Sequence, residues 1–340
     1  MRFKSIITHC FVVGTIIGCG NLSKNMNTSS ENNPLFCTPQ DGACLIATSK
    51  ETKHEAGLDS EHSNSSKKIK LIYFTDPICS SCWAIEPQLK KLKLEFGEHI
   101  IFDYHMGGLL PSWDIYNSGG ISKPSDVASH WDEVSSYYQM PIVGDVWLQD
   151  PLSSSYPPSI AFKAAQLQDE KKAAIFLRIL REKVFVEKKN ITKESEIKEA
   201  ADQSGLVAEK ILEDMKAVAL DNFQKDLQLA AKMGVRGFPT IYILGENGQM
   251  ELIYGSRPYD TYVQAIQKIF PEIRRNEVTL NDLEVLDNYD SYTQKECAEI
   301  LGISFEKAKF ILDEWLKKNP ISERIDTRNG SLWRLQRRTI

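Results

Sequence analysis

Two cysteines separated by two residues, Cys79-Ser80-Ser81-Cys82, stand between a β-rich run and a helical stripe. That placement constrains what this chain can fold into more than any other feature. Ile69, Leu71, Ile72, Tyr73 and Phe74 form the run, which Asp76-Pro77 bounds. After the cysteines, Ile85, Leu89, Leu92 and Phe96 recur at helical spacing, and Ile100 to His105 reads as a second strand. A CxxC at a strand-to-helix junction puts both sulfurs on the first helical turn. There the leading thiol faces unsatisfied backbone N–H groups and the positive end of the helix dipole, which lower its pKa. The spacing therefore predicts Cys79 as a nucleophile and Cys82 as the thiol that resolves a mixed disulfide. Zinc sites use the same spacing but need two further ligands. Cys37 and Cys44 could supply them, at an unusual separation of seven (44 − 37); the expectation is that no metal is held.

Strand character returns at Thr240 to Leu244 and at Met250 to Tyr254, joined by a turn at Glu246-Asn247-Gly248. A helix from about Tyr259 to Phe270 closes this part of the chain. Pro239, at the head of the returning strand, lies 157 residues beyond Cys82 (239 − 82). The gap contains stripes at helical spacing, such as Ile160, Ala164, Leu167 and Ile175, Ile179, Val184, and a helix start at Pro157-Pro158-Ser159. Residues from about 117 to 233 therefore read as a mostly helical insertion. The whole from 67 to 272 is one α/β domain.

A smaller unit spans 276–340. Leu280 to Leu286 reads as a helix, Thr293-Gln294-Lys295-Glu296 as a capping box opening a second helix to Leu301, and Phe305, Ala308, Ile311, Leu312 and Trp315 stripe a third. A hairpin from Ile325 to Trp333 turns at Asn329-Gly330. Three helices and a hairpin outline a winged helix. Its charges oppose nucleic acid, since twelve acidic against ten basic side chains leave it at net −2, and phosphate contact dominates DNA affinity. The chain as a whole carries −5. Packing or a protein contact is expected of this unit.

The first residues read as an export signal. Arg2 and Lys4 precede a short apolar stretch that ends in Ile16-Ile17-Gly18-Cys19, similar to a bacterial lipobox in which Cys19 would be lipidated. Residues 20–66 are expected to be a linker, Ser/Asn-rich at Asn21 to Glu31 and polar again at His54 to Ser66. Cys37 and Cys44 within it could close a small structural disulfide, could shuttle electrons to Cys79, or could do neither. Cys297 falls on the buried side of a short helix, where an inert core role is expected.

Asp76-Pro77-Ile78-Cys79-Ser80-Ser81-Cys82-Trp83 and Val235-Arg236-Gly237-Phe238-Pro239-Thr240 resemble the DsbA/FrnE-type thioredoxin family. Gly144-Asp145-Val146-Trp147-Leu148, Phe185 to Thr192 and the ending Asn329-Gly330-Ser331-Leu332-Trp333 are similar more narrowly to its SpxH (YjbH) branch. The resemblance covers roughly residues 67–335. It implies a thioredoxin fold with a DsbA-like helical insertion and a winged-helix-like tail. It also implies a cis peptide at Pro239, with Phe238, Pro239 and Thr240 shaping a groove for extended polypeptide substrates. Two functions follow. One is a protein dithiol–disulfide oxidoreductase or isomerase, lipid-anchored in the bacterial envelope, which needs a redox partner but no cofactor beyond the Cys79–Cys82 disulfide. The other is the role of characterised members of the branch, cytosolic adaptors that deliver a thiol-stress regulator to the ClpXP protease.

Overall fold

The computed structural model describes residues 37–38, 42–45, 68–115, 122–245, 248–276 and 282–335. The signal segment 1–19, with Cys19, lies outside the described residues, as does most of 20–66.

Strand β1 (Cys37–Thr38) and strand β2 (Ala43–Leu45) come first, followed by β3 (Ile69–Thr75). Every residue of β3 except Lys70 is buried, because it is the inner strand of a sheet covered on both faces; a strand so placed reads as a continuous apolar run. The helix after the CxxC is broken. Helix α1 (Ser80–Ala84) stops at Ile85 and α2 (Glu86–Phe96) restarts with Pro87 in its first turn, since proline has no N–H with which to continue the ladder. Strand β4 (Ile100–Met106) returns parallel to β3. Lys70, the exposed residue of β3, pairs with Asp103 of β4 at 2.8 Å.

Seven helices then make the insertion: α3 (Pro124–Tyr138), α4 (Val146–Gln149), α5 (Tyr156–Gln168), α6 (Glu170–Phe185), α7 (Glu194–Gln203), α8 (Ala208–Asp214) and α9 (Val218–Lys232). Strand β5 (Gly237–Phe238), β6 (Thr240–Leu244), β7 (Met250–Tyr254) and helix α10 (Tyr259–Ile269) complete the domain. The main sheet runs β4-β3-β6-β7, with β6 antiparallel to both neighbours. The limits of β6 and β7 coincide with those expected from the sequence.

The stretch 20–66 departs from expectation, for its described residues 37–38 and 43–45 are strands rather than linker. They pair with each other and, through β2, with β5, in a separate sheet ordered β1-β2-β5. A composition argument misses them because the outer partner of β2 comes from far downstream, Phe238 lying 194 residues beyond Cys44 (238 − 44).

Helix α11 (Asp282–Leu286), β8 (Ser291–Thr293), α12 (Gln294–Leu301), α13 (Phe305–Lys318), β9 (Ser322–Thr327) and β10 (Gly330–Leu335) form the C-terminal unit. The capping box at Thr293/Glu296 is present. The sheet order β8-β10-β9 adds one strand that the sequence reading lacked, because Ser-Tyr-Thr is too short to show alternation. This unit has its own core around Leu286, Tyr292, Ala308, Leu312, Trp315 and Trp333. Its hairpin turn docks on the insertion: Asn329 Nδ2 donates to Asp132 Oδ1 at 2.6 Å and to Ile142 O at 2.7 Å, and Arg328 pairs with Asp132 at 2.8 Å.

A buried ionic cluster joins the unit to the domain. Arg178 of α6 makes a two-pronged contact with Glu296 at 2.6 and 3.1 Å and also binds Glu182 at 2.6 Å. Lys90 of α2 reaches Glu296 at 3.1 Å and donates to Ser291 O at 2.6 Å, between the rings of Tyr289 and Tyr292. Glu296 is fully buried. Burial alone would raise its pKa, but Arg178 and Lys90 outweigh that and hold it at about 2. Removing one charge from such a cluster leaves the others buried and unpaired, which typically costs about 3–5 kcal/mol. A Glu296→Gln chain should therefore lose about that much stability in urea unfolding at neutral pH. Because the folded pKa is depressed, the stabilisation is complete above about 4.5, the ordinary value, and is lost as pH falls toward about 2. The variant should show a flatter acid limb over that window.

Candidate functional site

The CxxC lies where β3 ends and α1 begins. Asp76 turns the chain: its carboxylate accepts the N–H groups of Ile78 at 3.0 Å and Leu109 at 2.8 Å and the hydroxyl of Ser155 at 2.9 Å. Burial pushes its pKa up to about 6 in spite of those donors. Cys79 is the N-cap of α1, and its Sγ accepts the Cys82 N–H at 3.2 Å. Beneath the pair sits the buried guanidinium of Arg181. It donates to Thr75 Oγ1 and to Glu86 Oε1, each at 2.5 Å. Trp83 is core, stacked on Phe185 at 5.7 Å with its ring N–H on Pro141 O at 3.1 Å.

The peptide bond Phe238–Pro239 is cis. Cys79 Sγ donates to Phe238 O at 3.6 Å, so the structure brings Cys79, Cys82, Phe238, Pro239 and Thr240 together across one cleft. The side chains of Phe238 and Thr240 do not line it, however. The Phe238 ring packs inward against Gly107, where any Cβ would lie 1.8 Å from it, and the Thr240 hydroxyl donates to Gly237 O at 2.7 Å. This loop presents its backbone, and the side chains shape the groove only from behind. Gly107 explains the glycines that follow β4.

That backbone is already paired. Strand β2 runs antiparallel to β5, with Cys44 opposite Phe238 and Leu45 opposite Gly237. Cys44 is buried and disulfide-bonded, and its sulfur lies 3.9 Å from Ser80 Oγ. Its backbone partner across the β1–β2 pair is Cys37. Two glycines permit the fit. A Cβ on Gly237 would meet Cys44 O at 2.4 Å, and one on Gly42, which has φ +66°, would meet the Ser256 backbone at 2.8 Å. The Ser256 N–H donates to Gly42 O at 2.5 Å.

Under this cover the electrostatics reverse the sequence expectation. Cys79 is wholly buried, and its thiol is raised well above the ordinary value, first by desolvation and then by its neighbours Cys82 and Asp76. The helix that was expected to lower it has only five residues, too few for a strong dipole. Cys82 moves the other way. Burial raises its pKa, but the hydrogen bond from Cys79, the Arg181 charge and Thr75 outweigh that and lower it. These surroundings therefore favour ionisation of Cys82 over Cys79.

Arg181 and Asp76 carry these effects, and the sequence reading assigned no role to either. Arg181 opens a run of three consecutive charged positions of α6, Arg181-Glu182-Lys183, nothing in which signals burial. Glu86 pairs with Arg181 rather than with either sulfur. His105 binds Asp103 at 3.1 Å and Asp226 at 2.7 Å, away from the sulfurs. The Cys297 thiol donates to Ala308 O at 3.7 Å within the tail core. Among the described residues no group of His, Cys, Asp and Glu side chains is arranged to hold a metal ion, and no helix is long and apolar enough to cross a membrane.

Comparison with known proteins places this geometry. A thioredoxin family model matches residues 73–264. The ClpXP adapter protein SpxH of Halalkalibacterium halodurans is 29% identical over 307 residues, covering 89% of this chain and 97% of that protein. The ClpXP adapter protein SpxH of Shouchella clausii is 31% identical over 273 residues, covering 79% and 89%. Among solved structures, a candidate protein disulfide isomerase from Nitrosomonas europaea aligns over 60% of this chain and 98% of its own, with a TM-score of 0.52 at 19% identity. The last likeness concerns the fold alone.

If strand β2 is what shields Cys79, loosening it from a distance should expose the thiol. A Gly42→Val chain places a β-branched side chain at positive φ and against the Ser256 backbone. It should be alkylated at Cys79 by iodoacetamide about tenfold faster or more, as a strain of about 1–3 kcal/mol implies. An unchanged rate would mean that the shielding comes from elsewhere.

Proposed function

The chain belongs to the thioredoxin family, in its DsbA-like SpxH branch, and on that premise we propose that it is an adaptor that binds a client protein and presents it to the ClpXP protease. One observation carries this reading. The backbone edge at Gly237–Phe238, which an extended substrate of a disulfide exchanger would need, is taken by the chain's own residues 44–45, and Cys79 beneath it is 0% exposed. A resting site so covered suits a protein whose working surface lies elsewhere. The welded tail supports the same reading. Docked through Asn329 and Glu296, it makes one continuous body with the domain, and adapter relatives align across nearly that whole length. In this reading the chain works in the cytoplasm beside the protease.

Reconstitution tests it. Full-length chain added to ClpXP should bind ClpX and speed degradation of a thiol-stress regulator client, and a Cys79→Ser/Cys82→Ser chain should retain that activity. Recovery of the protein in the membrane fraction, with a lipid label lost in Cys19→Ala, would overturn it in favour of an envelope protein.

A second reading is thiol–disulfide exchange with protein substrates. It is favoured by the Cys82 N–H donated to the Cys79 sulfur at 3.2 Å beside a cis proline. In it Cys79 attacks, Cys82 resolves, and no external cofactor is required, because the pair itself carries two electrons. Reduction of insulin by the full chain in the presence of dithiothreitol should then be lost in Cys79→Ser; equal rates for both chains would remove this reading.

A further inference from the structure

Strand β2 does more than cover the cleft. It sets a disulfide sulfur at the place where an exchange substrate would sit. Cys44 is in register with Phe238, whose carbonyl accepts the Cys79 thiol at 3.6 Å. Its own sulfur lies 3.9 Å from the side chain of Ser80, the residue after Cys79. Antiparallel pairing with the backbone beside Pro239 holds it there, and so does the Gly42–Ser256 contact at the other end. Gly237 is bare where the Cys44 carbonyl crosses it. Cys44 is almost wholly buried and shares one core with Cys79 and Cys82. Two backbone contacts that each tolerate only glycine, one just before the strand and one at its middle residue, describe a fitted seat rather than a chance approach.

We propose that Cys44 is an internal disulfide substrate of the Cys79/Cys82 pair, so that the chain passes two electrons between its CxxC and its N-terminal disulfide. This rests on the exchange reading of Cys79 and Cys82. In the singly ionised pair the proton shared between the two sulfurs comes to rest on Cys82, leaving Cys79 as the thiolate. The Cys79 sulfur then attacks Cys44 Sγ. A Cys79–Cys44 bond forms, and the bond from Cys44 to its present partner breaks, the partner leaving as a thiolate that takes the proton from Cys82. Cys82 next attacks Cys79, forming Cys79–Cys82 and releasing Cys44 as a thiolate. The CxxC dithiol is oxidised and the Cys44 disulfide is reduced, with protons and charge conserved and no outside oxidant. Because reduced Cys44 is no longer tied to its disulfide partner, the same exchange loosens the strand that covers the cleft. The oxidation state of the N-terminal disulfide thereby sets access to the site.

Full-length Cys82→Ser, purified with its Cys44 disulfide intact and held at a pH alkaline enough to ionise Cys79, should accumulate the mixed disulfide when the displaced partner thiol is trapped by alkylation, since Cys82 is absent to resolve it. After acid quench, alkylation and digestion, mass spectrometry should find the peptide bearing Cys79 joined to the one bearing Cys44, at a yield unchanged on dilution. Wild-type chain started with a reduced CxxC and no added thiol offers an independent measurement. Cys79 and Cys82 should become linked while Cys44 becomes alkylatable. If Cys44 keeps its original partner in both chains, the proposal is overturned, as it is if the link forms only at high protein concentration. Glutathione disulfide added to a Cys44→Ala/Cys82→Ser chain separates the two readings. A Cys79–glutathione adduct without any Cys79–Cys44 link leaves exchange standing and removes the internal substrate, and the absence of both removes both.

Discussion

The buried guanidinium of Arg181 is the charge around which the rest of this protein is arranged. A guanidinium stays protonated in any protein, so once buried it demands acceptors on several sides. It takes them from Thr75 at the end of β3, from Glu86 at the start of α2 and, more loosely at 3.5 Å, from the Asp76 carbonyl. The insertion helix that carries it is thereby fastened to the strand and helix that flank the CxxC. One turn earlier on α6, Arg178 lies 4.3 Å from the Trp83 ring and binds Glu296 of the tail. Two arginines on one helix thus link domain, insertion and tail, and the electrostatics of the sulfurs follow, since Arg181 favours a charge on Cys82.

The second organising fact is the borrowed strand. A thioredoxin-type cleft leaves the backbone before its proline unpaired, and an unpaired edge invites another strand. Here the chain's own residues 43–45 fill it. Covering the cleft excludes water, which is why the Cys79 thiol is raised rather than lowered: desolvation of a buried sulfur outweighs five residues of helix. The consequence for function is direct. A site under its own strand accords with the proposed adaptor role, and the position of the disulfide in that strand is what the proposed internal exchange rests on.

The tail illustrates why an outline does not fix a role. Its helices and hairpin follow the winged-helix pattern, but the hairpin turn that would be offered outward in a nucleic-acid reader is spent on Asp132 and Ile142 of the insertion. Lys90 and Glu296, which look like ordinary surface charges on amphipathic helices, are the contact between units. Periodicity assigned Glu296 correctly as a capping residue. It could not show that the same carboxylate also meets Arg178 from another part of the chain.

Local chemistry was legible in the residues. The apolar run of β3, the helical insertion, the limits of β6 and β7 and the capping box at Thr293 follow from period, turn residues and spacing, which act over a few neighbours, whereas the facing positions of Cys79 and Pro239 were implied by the family resemblance. Three things were not legible, for one reason. The charge state of the cysteines, the inward turn of Phe238 and Thr240, and the strand character of residues 43–45 each depend on groups far apart in sequence. Desolvation is a property of what covers an atom, and a short strand is made by its partner. The sequence determined which elements form and that two sulfurs can react. Only the tertiary structure, by laying residues 43–45 over the cleft and Arg181 under it, decided which sulfur its surroundings favour for ionisation and what lies against the pair.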